Sequence, residues 1–366
     1  MSARHVTALD GIRGIAVLMV ILWHASEYVQ GTGLLEKLVR LPLRIGWSGV
    51  DLFFVLSGFL ITGILLDTRQ SPNYFRSFYA RRALRIFPLY YLVLTTILVA
   101  AHFLPKLDKS VPIPHDRIFY FFYLNNWWPL LRDTWHGNLI GHFWSLAVEE
   151  QFYLLWSLCV FIVRPKHILK VALGGIAGAF LIRWGLYAHS GLTRDLVENT
   201  FARMDSLLVG AFLAGLVRRP NLLKRLEPYV YRVGIVSALG IMILIYVIKD
   251  HGASQVFGFS LLAFAYGAAV LFAYIKSGDS STTQRLLCSK QLTTLGKYSY
   301  GMYVYHVPIL FAVGLVIGRF IYFRGSLGLT LLFIGLVFVL TFVTAKLSFD
   351  LFESQFLRLK KYFRAG

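Results

Sequence analysis

Charge is scarce in this 366-residue chain. Asp, Glu, Lys and Arg make up 15% of it, against about 25% in a soluble domain, which excludes an ordinary water-soluble globule. Cysteine is scarcer still: Cys159 and Cys288 stand in different segments with no Cys-x-x-Cys spacing, so neither a structural disulfide nor a zinc site is expected. Acidic residues are few, 18 against 37 basic ones, for a formal net charge of +19. That excess does not point to nucleic acid. The basic residues fall in short runs between apolar segments, as they do in the cytoplasmic loops of membrane proteins. There is no internal repeat, low-complexity tract or long polar stretch to form an extramembrane domain. No small-residue cleavage site follows the first apolar run, which is therefore expected to remain as a span rather than be removed as a signal peptide.

What is present is hydrophobicity: 57% of the residues, with a mean hydropathy of +0.62. Apolar runs long enough to cross a bilayer lie at 8–28, 44–66, 86–103, 143–163, 168–188, 200–217, 230–248, 256–275, 297–318 and 327–349. An eleventh candidate, 117–131, is short, aromatic and interrupted by Asn125 and Asn126. Without it, both termini share one side with 22 Lys and Arg, and the opposite loops hold 11. The positive-inside rule then places both termini in the cytoplasm and leaves 117–131 external or re-entrant. The expected fold is all-α: a single membrane-embedded domain over 1–366 with ten transmembrane helices. The external loop 104–142 is the expected place for acceptor contacts.

Ionisable side chains inside spans are expensive and usually face a wet or protein-lined cavity. The run LDGIRGIAVLMVILWH carries Arg13 and His24, eleven residues apart. At about 100° per residue they fall about 20° past three full turns, on nearly one face and about 16 Å apart along the axis. Asp51 lies in the second span and Glu149, Glu150 and Gln151 in the fourth. His24, Asp51 and Glu149 all sit within about 6–11 Å of the outer boundary, so Glu149 or Asp51 is expected to orient His24. Consecutive helical residues point about 100° apart, so only one of Glu149 and Glu150, preferably Glu149, should face the site. Gly49 and Gly58 are expected to serve helix packing, and Ser57 either packing or the site. Arg82 and Arg85 stand one turn apart at the inner mouth of the third span, either as a positive-inside anchor or as a clamp for a diphosphate. Arg203 and Asp205 form either an internal ion pair or part of the site, and His306 in YSYGMYVYH either a structural histidine or a substrate contact.

These segments resemble the acyltransferase 3 family of integral-membrane O-acyltransferases. LDGIRGIAVLMVILWH, GVDLFFVLSGFLIT, RRALRIFPLYY, FWSLAVEEQFY, the Arg203–Asp205 stretch and YSYGMYVYH occur in family order across essentially the whole chain. The family's paired arginine and histidine fall on Arg13 and His24, its R-x-x-R motif on Arg82 and Arg85, and its W-S-L-x-x-E-x-Q motif on Trp144 to Gln151. The resemblance implies ten spans in a bacterial inner membrane and a cytoplasmic acyl-CoA donor, with no tightly bound cofactor and no metal. It implies transfer of an acyl group, usually acetyl, to a hydroxyl of a cell-envelope or lipid-linked carbohydrate. The chain stops after RLKKYFRAG, so a stand-alone member without a fused SGNH domain is expected.

The residues then take roles. His24, Glu149 and Asp51 are catalytic candidates; Arg13, Arg82 and Arg85 would hold the donor; Trp144, Ser145, Arg203, Asp205 and His306 are candidate substrate contacts. His24 can act as general base on the acceptor hydroxyl or carry the acyl group covalently. The competing reading, a transporter or flippase of lipid-linked glycans, also uses buried charges along a path. The ordered set of motifs favours the enzyme.

Overall fold

The computed structural model describes residues 6–27, 43–127, 139–191, 193–244, 251–324 and 327–363. Among them there are helices and no strands, and ten helices have 17 or more residues. They are α1 (Thr7–Glu27), α2 (Gly49–Thr68), α3 (Tyr74–Phe103), α4 (Trp144–Ile162), α5 (Ile168–Ser190), α6 (Thr200–Leu216), α7 (Pro220–Ile243), α8 (His251–Ile275), α9 (Lys290–Arg324) and α10 (Leu327–Ser348). Nine helical stretches among the described residues are long and apolar enough to cross a membrane. The tenth helix, α6, has 17 residues, of which 14 are buried. At about 26 Å it is slightly short of a 30 Å hydrocarbon core, and protein rather than lipid surrounds it.

Ten helices match the ten expected spans, but several begin earlier. Helix α3 starts at Tyr74, α7 at Pro220 and α9 at Lys290, where hydropathy placed the spans from 86, 230 and 297. A hydropathy window marks only the lipid-facing part, while Lys and Arg are good helix formers and let the helix continue into the aqueous side. Arg81, Arg82 and Arg85 thus lie on a continuous helix. Of the segment 117–131 the described part is 117–127, in which Arg117–Phe121 is helical and turns follow through Trp127. Five residues cannot cross a bilayer. Residues 128–138, which include the end of that segment and part of the expected acceptor loop, lie outside the described residues, as does the end of the 230–248 run.

Two glycine contacts set the register of the core. A Cβ on Gly296 of α9 would collide with the carbonyl oxygen of Asp10 in α1, and one on Gly58 of α2 with that of Leu207 in α6. Small residues allow such backbone-to-backbone approach in lipid, where no hydrophobic force draws helices together. The first contact brings α1 alongside α9, and the second seats α2 on α6. After α10 the chain turns through Phe349–Glu353 into a short helix, Ser354–Arg358, packed on α3. There Ser77 Oγ donates to the Phe363 carbonyl at 3.0 Å and Arg76 lies over the Phe363 ring.

Candidate active site

The charged and polar residues of the interior form three separate groups. The first lines a cavity between α1, α2, α3, α4 and α9. Arg13, Arg82 and Arg85 border it together with Glu149, Glu150 and Tyr153, and Ser145 and Tyr303 border it as well. Arg13 is held by Asp10 at 3.0 Å. Among the described residues, neither Arg82 nor Arg85 has a carboxylate within ion-pair distance. Tyr153 donates to Glu149 Oε2 at 3.1 Å and lies 2.5 Å from Ser57 Oγ, so Ser57 belongs to the cavity and not to packing alone. Lys360, from the chain's C-terminal segment, lies near Arg81, Arg82 and Arg85.

The second group consists of imidazoles. His24 on α1 and His306 on α9 lie with ring centroids 4.8 Å apart, and His142 lies 4.9 Å from His306. His24 donates through Nδ1 to the Val20 carbonyl at 3.0 Å, and that nitrogen is 3.2 Å from His306 Nε2. His306 donates through Nδ1 to the Tyr303 carbonyl at 2.5 Å. His142 donates through Nε2 to the Val304 carbonyl at 3.3 Å. That carbonyl is free because residue 308, four positions on, is a proline and has no N–H to complete the helical bond. Tyr303 links the two groups: its side chain borders the cavity, its hydroxyl meets Ser145 Oγ at 2.5 Å, and its carbonyl holds His306.

The third group is a pair of buried ion pairs. Arg203 on α6 donates to Asp51 of α2 at 2.9 Å, and Ser206 Oγ donates to the same oxygen at 3.0 Å. Arg183 on α5 donates to Asp205 at 2.7 Å, which also accepts from Ser260 Oγ at 2.8 Å. Arg203 also lies 3.5 Å from the centroid of the Phe259 ring, with Trp144 at 5.9 Å.

Several expected contacts therefore fall elsewhere. Asp51 and Glu149, expected at the depth of His24, turn elsewhere: Asp51 faces Arg203 and Glu149 faces the arginine cavity, and no carboxylate among the described residues contacts His24. Equal depth places residues at one level of the bundle, and helix rotation then turns them into different clefts. Arg203 and Asp205 do not pair with each other, because residues two apart on a helix point away from each other; each takes a partner from a neighbouring helix. Glu149 and Glu150 both border the cavity, which is wide enough to meet side chains about 100° apart. His306 is 1% exposed and faces His24 rather than open space. Gln151 is accounted for differently: it binds Asn126, the Tyr123 carbonyl and Thr200, anchoring the 117–127 segment. Arg183 and His142 were missed. The first is a guanidinium deep in the 168–188 run, which the rule about intramembrane charge would have flagged, and the second opens the segment HFWSLAVEEQFY.

Comparison with known proteins bears on this arrangement. No solved structure matches the chain. It is 32% identical over 330 residues to the peptidoglycan O-acetyltransferase OatA of Listeria monocytogenes, covering 84% of this chain and 50% of that protein. It is 28% identical over 330 residues to the O-acetyltransferase OatA of Staphylococcus aureus, covering 84% and 51%. The chain thus spans about half the length of these curated relatives. Their bacterial origin and the run of apolar helices make it a multi-pass protein of a bacterial plasma membrane. The acyltransferase domain profile Acyl_transf_3 matches residues 6–347, almost the whole helical bundle, and the chain belongs to the acyltransferase 3 family.

Proposed function

We propose that this chain moves an acyl group, acetyl in the simplest case, from a cytoplasmic acyl-CoA to a hydroxyl of a cell-envelope carbohydrate. Peptidoglycan is the acceptor named for one of its relatives. The observation that carries the reading is the pair of unpaired guanidiniums, Arg82 and Arg85, in one cavity with Arg13. Guanidiniums match phosphate oxygens bidentately, and a nucleoside diphosphate with a long thioester arm is an anion of suitable shape. Arg13 and His24 are about 16 Å apart along α1, a span for an arm threaded outward past Ser145 and Tyr303.

In this reading the acceptor oxygen attacks the thioester carbonyl as His24 Nε2 takes its hydrogen. The C–S bond then breaks, and the leaving thiolate receives a proton. A covalent route through an acyl-histidine would use the same nitrogen. The test is transfer of labelled acetyl from acetyl-CoA to peptidoglycan oligosaccharides by the purified protein in nanodiscs. His24→Ala should lower the rate by about 10²–10⁴ while donor binding is kept, the usual loss on removing a general base. Near-wild-type transfer by folded His24→Ala would refute the assignment.

A further inference from the structure

The backbone partners of the histidines determine where their hydrogens sit. A carbonyl oxygen can only accept, so a ring nitrogen facing one must carry the hydrogen. His24 meets the Val20 carbonyl through Nδ1, and His306 meets the Tyr303 carbonyl through Nδ1. Each neutral ring therefore has Nδ1–H and a bare Nε2. The bare Nε2 of His306 lies 3.2 Å from His24 Nδ1. One hydrogen on His24 is thus shared between a carbonyl and an imidazole lone pair, a three-centre bond.

We propose that His306 is the positioning residue of His24: its Nε2 lone pair holds the Nδ1 hydrogen, so that His24 offers a bare Nε2 to the reacting hydroxyl. This rests on the transferase reading above. When His24 takes a proton on Nε2, its Nδ1–H becomes a donor from a cation, and the bond to His306 becomes charge-assisted. No proton leaves Nδ1, so His306 stays neutral throughout. His142 supports the arrangement from behind. Its ring packs on His306, and its own hydrogen is committed to the Val304 carbonyl exposed by Pro308. His306 is enclosed among His24, His142 and Tyr303 and acts through His24 rather than on substrate.

The first test needs no activity. ¹⁵N spectra of histidine-labelled protein in nanodiscs, assigned with His24→Gln, should show His24 with a protonated Nδ1 and a bare Nε2. His306→Phe should move the Nδ1 signal of His24. Hydrogen on Nε2, or an Nδ1 signal indifferent to His306→Phe, overturns the proposal whether or not the chain is a transferase. The second test is kinetic, with acetyl-CoA and peptidoglycan oligosaccharides. His306→Gln, whose amide oxygen reaches the position of Nε2, should keep kcat within about tenfold. His306→Phe fills the volume without an acceptor and should lower kcat by about 10–100-fold with both KM values unchanged, the usual scale for losing an orienting partner. Equal losses in the two variants, or a raised acceptor KM with kcat kept, would overturn the positioning role. If the wild type transfers no acyl group, the transferase reading fails, and the ¹⁵N result decides the hydrogen-bonding claim alone.

Discussion

Replacing Arg203 with Met should destabilise the bundle severely, and replacing Asp51 with Leu in the same chain should largely restore it. Asp51 is 0% exposed and Arg203 2%. Asp51 Oδ1 accepts from Arg203 and Ser206, while Oδ2 has no partner among the described residues. Arg203→Met leaves that carboxylate with one hydroxyl for support, and breaking a buried pair in this way costs about 3–5 kcal/mol. Loss of the Phe259 contact can add up to about 2 kcal/mol where the cation is desolvated. A domain's whole stability is about 5–15 kcal/mol, so the single variant should lose much of it. The double variant removes both charges together, and buried pairs replaced by apolar residues are often neutral. Melting in detergent, with size-exclusion to count folded protein, gives the four corners of a double-mutant cycle. A coupling near zero would refute the ion-pair argument. So would an Asp51→Asn protein that melts like wild type and binds donor but transfers nothing, since Asp51 would then act in the chemistry.

The cavity and the proline within α9 yield two more. Arg82→Ala with Arg85→Ala should weaken acyl-CoA binding at least about tenfold, since hydrogen bonds to charged groups are typically worth about 1.5–3 kcal/mol each; unchanged affinity in a calorimetric titration would reduce the motif to a topology anchor. Pro308→Ala should leave melting unchanged or higher, because Pro in a helix interior costs about 3 kcal/mol, yet lower transfer by up to about tenfold as the restored N–H reclaims Val304 from His142, a bond worth about 1 kcal/mol. Full transfer by that variant would show that the freed carbonyl has no functional part.

The sequence was informative wherever a single helix decides the outcome. Arg13 and His24 share a face because of their spacing alone, and Arg82 and Arg85 are neighbours by the same geometry. It was uninformative about partners, because partners depend on how one helix is rotated against the next. Asp51 could be recognised as a costly buried carboxylate, but its pairing with Arg203 follows from the close approach of α2 and α6 at Gly58. Depth alone suggested His24 instead. His142 illustrates a second kind of gap. Pro308 was visible in the sequence, and so was the carbonyl it must leave unbonded at Val304, but not which side chain, 162 residues away in sequence, would take it.

The choice of a neutral partner for His24 follows from the same electrostatics. A carboxylate would orient the imidazole more strongly than another imidazole does. It would also need its own compensation while His24 is neutral, and an unpaired buried ion costs several kcal/mol. Four interior carboxylates have other surroundings: Asp51 and Asp205 are matched to guanidiniums, and Glu149 and Glu150 border the arginine cavity. An imidazole whose own hydrogen is already bonded to a backbone carbonyl brings one lone pair and no charge. It can hold His24 in place at rest without desolvating an ion, and strengthen its hold only when His24 is protonated. If His24 takes the acceptor's proton as proposed, charge separation in this enclosed site is transient, confined to the moment when the proton is in transfer.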